Sequence, residues 1–220
     1  QYAGPCLIEV FGETPFEPVA KEDVVVLSEK QQKLMVHYEK EAAKITNEYI
    51  PGDETSFTII AFPIPEIGEK FEEIFSETVK VNTLDVNLYQ EIQQKIIDTL
   101  DKGEYVHVKG TNGNVTDIKV QLAKLKNPEK ETIFENCLAD VNIPVGEVFT
   151  SPKLEGTNGV LHVTRVFLNE LEYKNLQLTF ENGMIAEYNC TNFEEEAHNK
   201  KFVEDNLLCQ HPSLPIGEFA

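Results

Sequence analysis

At Gly103 the spacing of apolar residues changes period, and that change restricts the chain to folds that combine helices with antiparallel strands. Before it, Leu34, Tyr38, Ala42, Ile45 and Tyr49 recur every three or four residues, as do Leu88, Ile92, Ile96 and Leu100. An α-helix returns a side chain to the same side with that spacing, so each set predicts one apolar helical face. After it, residues 105–109 and 117–122 alternate or run apolar, the pattern of strands.

Local signals set the boundaries. Ser28-Glu29-Lys30-Gln31 is a capping-box pattern and opens a predicted helix over 28–50, closed by Pro51-Gly52. A shorter helix is predicted over 69–76, and a long one over 85–102 with Gly103 at its end. Residues 6–11 read as a short strand or extended arm, and 56–62 as a buried strand stopped by Pro63 and Pro65. Beyond residue 104 the strand candidates also include 159–167, 176–180 and 185–188. Gly110–Asn114 reads as a hairpin loop, and Asn182-Gly183 is the strongest turn signal, since Asn-Gly tolerates the positive φ of a tight hairpin. Asn192 is expected to cap a last helix reaching about Leu208. The fold class is therefore α+β: residues 1–103 form an α/β layer, residues 104–220 are mostly antiparallel β, and the domain division falls near residue 104.

At 220 residues, 41% of them hydrophobic and with 13 Phe and 7 Tyr, the chain can bury a sizeable core. Its net charge of −19 argues against nucleic acid as a partner, which needs a basic surface to displace counterions. The acidity serves solubility, or lines a site for cations or amine-bearing substrates. No stretch reaches the ~18 apolar residues of a membrane span. Cys6, Cys137, Cys190 and Cys209 form no CxxC, and so few cysteines point to reduced thiols and a cytoplasmic setting. The chain opens without Met and ends on the apolar Gly217–Ala220 stretch, which is expected to be an interruption rather than a natural terminus.

One short pattern occurs twice. Ile143-Pro144-Val145-Gly146-Glu147-Val148 and Leu214-Pro215-Ile216-Gly217-Glu218-Phe219 each present a glutamate after Gly and before an apolar residue. A carboxylate in apolar surroundings is costly unless it is paired or binds a cation. Two such glutamates suit a divalent ion; the alternative is two solvated turn carboxylates, as Gly68-Glu69 illustrates at an ordinary helix entry. His211 lies seven residues before Glu218, but an isolated loop histidine followed by Pro212 is read as structural. Cys190, His198, Cys209 and His211 have spacings that match no structural zinc pattern. No GxSxG, HExxH, P-loop or GxGxxG is present, so no nucleophile or catalytic residue is assigned.

At these motifs the chain resembles the thermophilic metalloaminopeptidase family, of the aminopeptidase T and aminopeptidase S type. The stretches that carry the likeness are 116–118, 142–152, 155–157, 180–184 and 214–220. Gly146-Glu147-Val148-Phe149-Thr150 is the most specific of them. The resemblance implies a dinuclear metal site, zinc or cobalt, that releases N-terminal residues from a peptide substrate. By position it makes Glu147 and Glu218 metal ligands, with roles the sequence does not separate. The family's remaining histidine and aspartate ligands fall beyond Ala220, so this chain alone is expected to bind metal weakly and to be inactive. A possible homodimer is also implied. The alternatives are a non-catalytic peptide-binding or assembly module and a different metal-dependent hydrolase. For the redox reading, thiol titration of denatured, unreduced protein should find four free thiols; two or none would overturn it.

Overall fold

The computed structural model describes residues 27–51, 55–139, 141–168, 171–209 and 211–220. The strand candidate at 6–11, with Cys6, and Gly52 lie outside the described residues.

The first helix, α1 (Glu29–Tyr49), begins where the capping pattern predicts: Gln31 Oε1 accepts from the Ser28 N–H at 3.0 Å and from its hydroxyl at 2.7 Å. The predicted apolar face is not the packed one. Leu34, Tyr38, Ile45 and Tyr49 are exposed, while Gln32 is buried and its carboxamide donates to the Asp205 carbonyl at 2.5 Å. Periodicity marks an apolar stripe, but packing depends on what lies opposite it. The 56–62 segment is likewise corrected. It contributes only β1 (Ile59–Ile60), both residues exposed, paired in parallel with β5 (Asn142–Ile143). The expected 69–76 helix is longer, α2 (Phe71–Asn82), and the Phe75 ring meets Phe62 edge-on at 5.4 Å.

α3 (Val86–Leu100) starts at Asp85, whose carboxylate accepts from the N–H groups of Asn87 and Leu88 and so satisfies two orphan donors. Its buried face is rotated from the predicted one. Leu88, Ile92 and Ile96 are exposed, whereas Tyr89, Gln93, Ile97 and Leu100 turn inward. Both sets have helical spacing; the polar Gln93 disguised the true face.

Five strands then form one antiparallel sheet in the order β2 (Tyr105–Lys109), β3 (Asp117–Gln121), β7 (Lys153–Leu168), β8 (Leu171–Glu181) and β9 (Met184–Asn189). The β8–β9 turn is the predicted Asn182-Gly183, at φ +48° and +73°. A Cβ on Gly183 would also sit 2.5 Å from Leu154 Cα, so glycine is required there for space as well as for conformation. One face of the sheet buries Ile118, Val120, Leu176, Leu178, Phe180 and Ile185 beneath Val203 and Leu208. Those two residues belong to α4 (Glu196–Val203) and to the π-turn that continues it (Glu204–Leu208). This helix starts later than predicted, because Asn192 is otherwise engaged. Its amide accepts from the Lys174 N–H at 3.0 Å and donates to the Glu172 carbonyl at 2.7 Å, which ties it to β8.

A second, smaller antiparallel sheet pairs β4 (Glu135–Cys137) with β6 (Glu147–Phe149). Beside it Ile97 of α3 packs with Leu122 and Phe134 in a separate cluster. Cys190 and Cys209 are free thiols. No described helix is long and apolar enough to cross a membrane.

The rotated face of α3 gives a direct comparison. Ile97 is 1% exposed and Ile96 44%. Chemical denaturation should show Ile97→Ala costing about 2–5 kcal/mol and Ile96→Ala within about 0.5 kcal/mol. Equal losses would contradict the packing described.

Candidate metal centre

The first Gly-Glu corner is built from a loop, a small sheet and a helix. Gly146 has φ +139°, a backbone setting that L side chains rarely adopt, and this bends the chain from Pro144-Val145 into β6. A Cβ there would lie 3.9 Å from the Tyr89 ring, so α3 stands close behind the bend. Glu147 opens β6 opposite Cys137. Its carbonyl accepts from Gln93 Nε2 at 2.8 Å, and the same amide reaches the Cys137 carbonyl at 2.9 Å and Asn136 Oδ1 at 2.7 Å. The Glu147 carboxylate is half-buried, and its Oε2 accepts a long bond, 3.3 Å, from Asn142 Nδ2. Asn142 is itself held in β5 by its pairing with Ile59.

The second corner is stitched to both sheets. Ile185 donates to the Leu214 carbonyl at 3.0 Å, Ile216 to the Gly183 carbonyl at 2.7 Å, and the Ser213 hydroxyl to the Ile185 carbonyl at 2.7 Å. Three residues beyond Ile216, Phe219 and Thr150 exchange N–H to O=C bonds at 2.9 Å each way. The Phe219 side chain packs against both core clusters, 6.3 Å ring to ring from Phe134.

The Thr150–Phe219 pair sets the register between the corners. In antiparallel pairing Ser151 then stands opposite Glu218, and alternation along the strand puts Glu147, Phe149, Ser151 and Glu218 on one side. Glu147 is four residues from Ser151, about 13 Å along the strand at ~3.3 Å per residue. Glu218 is exposed and lines an open cleft of about 480 Å³ with Phe149, Thr150, Ser151, Glu135 and Lys124. Glu147 lies outside the lining of that cleft.

The donor chemistry of the two carboxylates fits divalent cations, and both keep lone pairs open. Among the described residues no group of three or more His, Cys, Asp or Glu side chains is placed to hold a metal. His211 is exposed, and His198 pairs with Glu195 at 3.6 Å. Cys190 points its thiol at Asn199 Oδ1, 3.5 Å away, and burial pushes that thiol's pKa up. Burial likewise pushes the Tyr173 phenol well above its usual range.

Gln93 and Thr150 support the glutamate corners although no sequence motif marks them. The sequence signal for Gln93 was its place four residues from both Tyr89 and Ile97, on the stripe that the structure buries. Thr150 carries no signal of its own, because its pairing with Phe219 is set by tertiary structure.

The family model for thermophilic metalloprotease (M29) matches residues 19–220, and the chain belongs to that family. Among solved structures it is similar to wild-type AmpT from Thermus thermophilus, at 18% identity and a TM-score of 0.47. That match covers 70% of this chain and 38% of the other, so the chain spans well under half of that relative's length. No curated protein sequence matches it.

The two motif glycines differ. Gly146 needs its positive φ, whereas Gly217 does not share it and a Cβ there would meet open space. Thermal or chemical unfolding should show Gly146→Ala costing about 1–3 kcal/mol and Gly217→Ala within about 0.5 kcal/mol. The reverse order would contradict the geometry of the first corner.

Proposed function

We propose that this protein is a metal-dependent aminopeptidase, releasing N-terminal residues from peptides at a dinuclear zinc or cobalt centre to which Glu147 and Glu218 contribute carboxylate ligands. The observation that supports this reading is the Thr150–Phe219 bridge, which brings the segment carrying Glu218 beside the end of β6, the strand that Glu147 opens. The family membership supports it independently.

In this reading Glu147 and Glu218 are donors only; no residue is assigned as general acid or base. Bound divalent ions would supply Lewis acidity toward a peptide carbonyl and would lower the pKa of a water. The chain's own contribution is to hold two carboxylates on hydrogen-bonded corners while leaving an open cleft beside Glu218 for a peptide. The same proposal includes a domain division near residue 104, a cytoplasmic setting and a homodimer. The free thiols of Cys190 and Cys209 support the cytoplasmic setting.

The test uses the zinc- or cobalt-loaded protein that carries this sequence. It should cleave aminoacyl-anilides and peptides with a free α-amino group, and should leave N-acetylated peptides intact. Glu147→Gln and Glu218→Gln should each lower kcat/KM by on the order of 100-fold, about 2.7 kcal/mol of transition-state stabilisation. Internal cleavage of acetylated peptides would overturn the aminopeptidase reading. Full activity in both variants would overturn the ligand assignment, and metal-dependent peptide binding without turnover would favour the non-catalytic alternative.

A further inference from the structure

The inner face of α3 is interrupted by one buried amide. Tyr89, Ile97 and Leu100 turn toward the β4–β6 pair, and between them stands Gln93, 3% exposed. Its Nε2 faces three oxygens: Asn136 Oδ1 at 2.7 Å, the Glu147 carbonyl at 2.8 Å and the Cys137 carbonyl at 2.9 Å. Because the two main-chain partners can only accept, the orientation of the amide is fixed; the flipped form would set its oxygen against those acceptors. Two protons serve three acceptors, so one bond is shared, while Gln93 Oε1 is buried without a partner.

A residue that only filled this space would do better as Met or Leu, which bury no unpaired oxygen. What glutamine adds is a donor, carried by a helix, aimed at the main chain of Glu147. One helical turn earlier, Tyr89 backs the Gly146 bend. Asn142 holds the far end of the Glu147 side chain. The carboxylate is thus constrained before, at and beyond its own Cα.

We propose that Gln93 is a positioning residue for Glu147, fixing the main chain from which that carboxylate reaches a divalent cation. The proposal rests on the reading of Glu147 as a metal ligand. Gln93 does not touch the ion; it acts through Glu147, so its influence on metal binding disappears when the Glu147 carboxylate is absent. A residue needed only for general stability would weaken binding in either background.

A double-mutant cycle separates these cases. Manganese(II) alone is titrated into the ¹⁵N-labelled chain, and the concentration that half-broadens the Glu218 amide signal is read for wild type, Gln93→Met, Glu147→Gln and the double variant. Thermal melting confirms that each is folded at the working temperature. Gln93→Met should raise that concentration about tenfold, the usual scale for partners that orient a ligand. Glu147→Gln should raise it at least as much, and the double variant should match Glu147→Gln within twofold. If Gln93→Met does not fold, Gln93→Asn, whose amide is one methylene short of Glu147, takes its place with the same expectations. An unchanged Gln93 variant, or losses that multiply in the double variant, would overturn the positioning role and leave Glu147 as a ligand. Wild-type affinity in Glu147→Gln, or no broadening in wild type, would overturn the ligand reading and this inference with it.

Discussion

The hydrogen-bonded pair between Thr150 and Phe219 is the contact on which the arrangement of this chain depends. It is a single antiparallel bridge, 2.9 Å in both directions, between residues 69 positions apart. Through it the β4–β6 pair, which packs against α3, meets the segment that is also bonded to the start of β9. Phe219 adds packing to the bridge, because its ring touches the cluster under the five-stranded sheet and the cluster around Ile97 and Phe134. Thr150 is buried and anchors the bridge from behind, its hydroxyl donating to the Ile133 carbonyl at 2.7 Å. Backbone groups removed from water must find partners, and here they join the end of β6 to the segment that carries the second copy of the motif.

The two corners reach a similar presentation by different means. At Glu147 the bend is conformational, a glycine at φ +139° held behind by a helix. At Glu218 the glycine has no such demand, and the segment is placed by bonds to Gly183, Ile185 and Thr150. The first carboxylate is half-buried with an amide partner, and the second is exposed at the rim of a cleft.

Much of this was legible in the sequence. The strands were visible because Ile118, Val120, Leu176, Leu178 and Phe180 alternate with polar residues, and alternation is what a half-buried sheet imposes. Asn182-Gly183 announced its hairpin because few other pairs tolerate two positive φ angles. The helices were visible as elements, but their packed faces were not. On α3 two stripes have the same period, and the one that packs contains Gln93, which hydropathy counts as outward. On α1 the stripe through Leu34 and Tyr38 is exposed, while the buried contact is made by Gln32. The repeated Gly-Glu pattern singled out both glutamates, yet their relation in space rests on the Thr150–Phe219 register, which no local pattern encodes. Buried polar contacts of this kind depend on geometry between elements, and a one-dimensional pattern carries little of it.

The central claim is that Glu147 and Glu218 are ligands of one metal centre. A crystal structure of the zinc-loaded protein, with anomalous diffraction recorded on either side of the zinc edge, tests it most directly. The account predicts anomalous peaks on the shared side of the two corners, with carboxylate oxygens of Glu147 and of Glu218 each within ~2.0–2.2 Å of an ion. Ordered zinc bound elsewhere, with both carboxylates well defined and unligated, would contradict it.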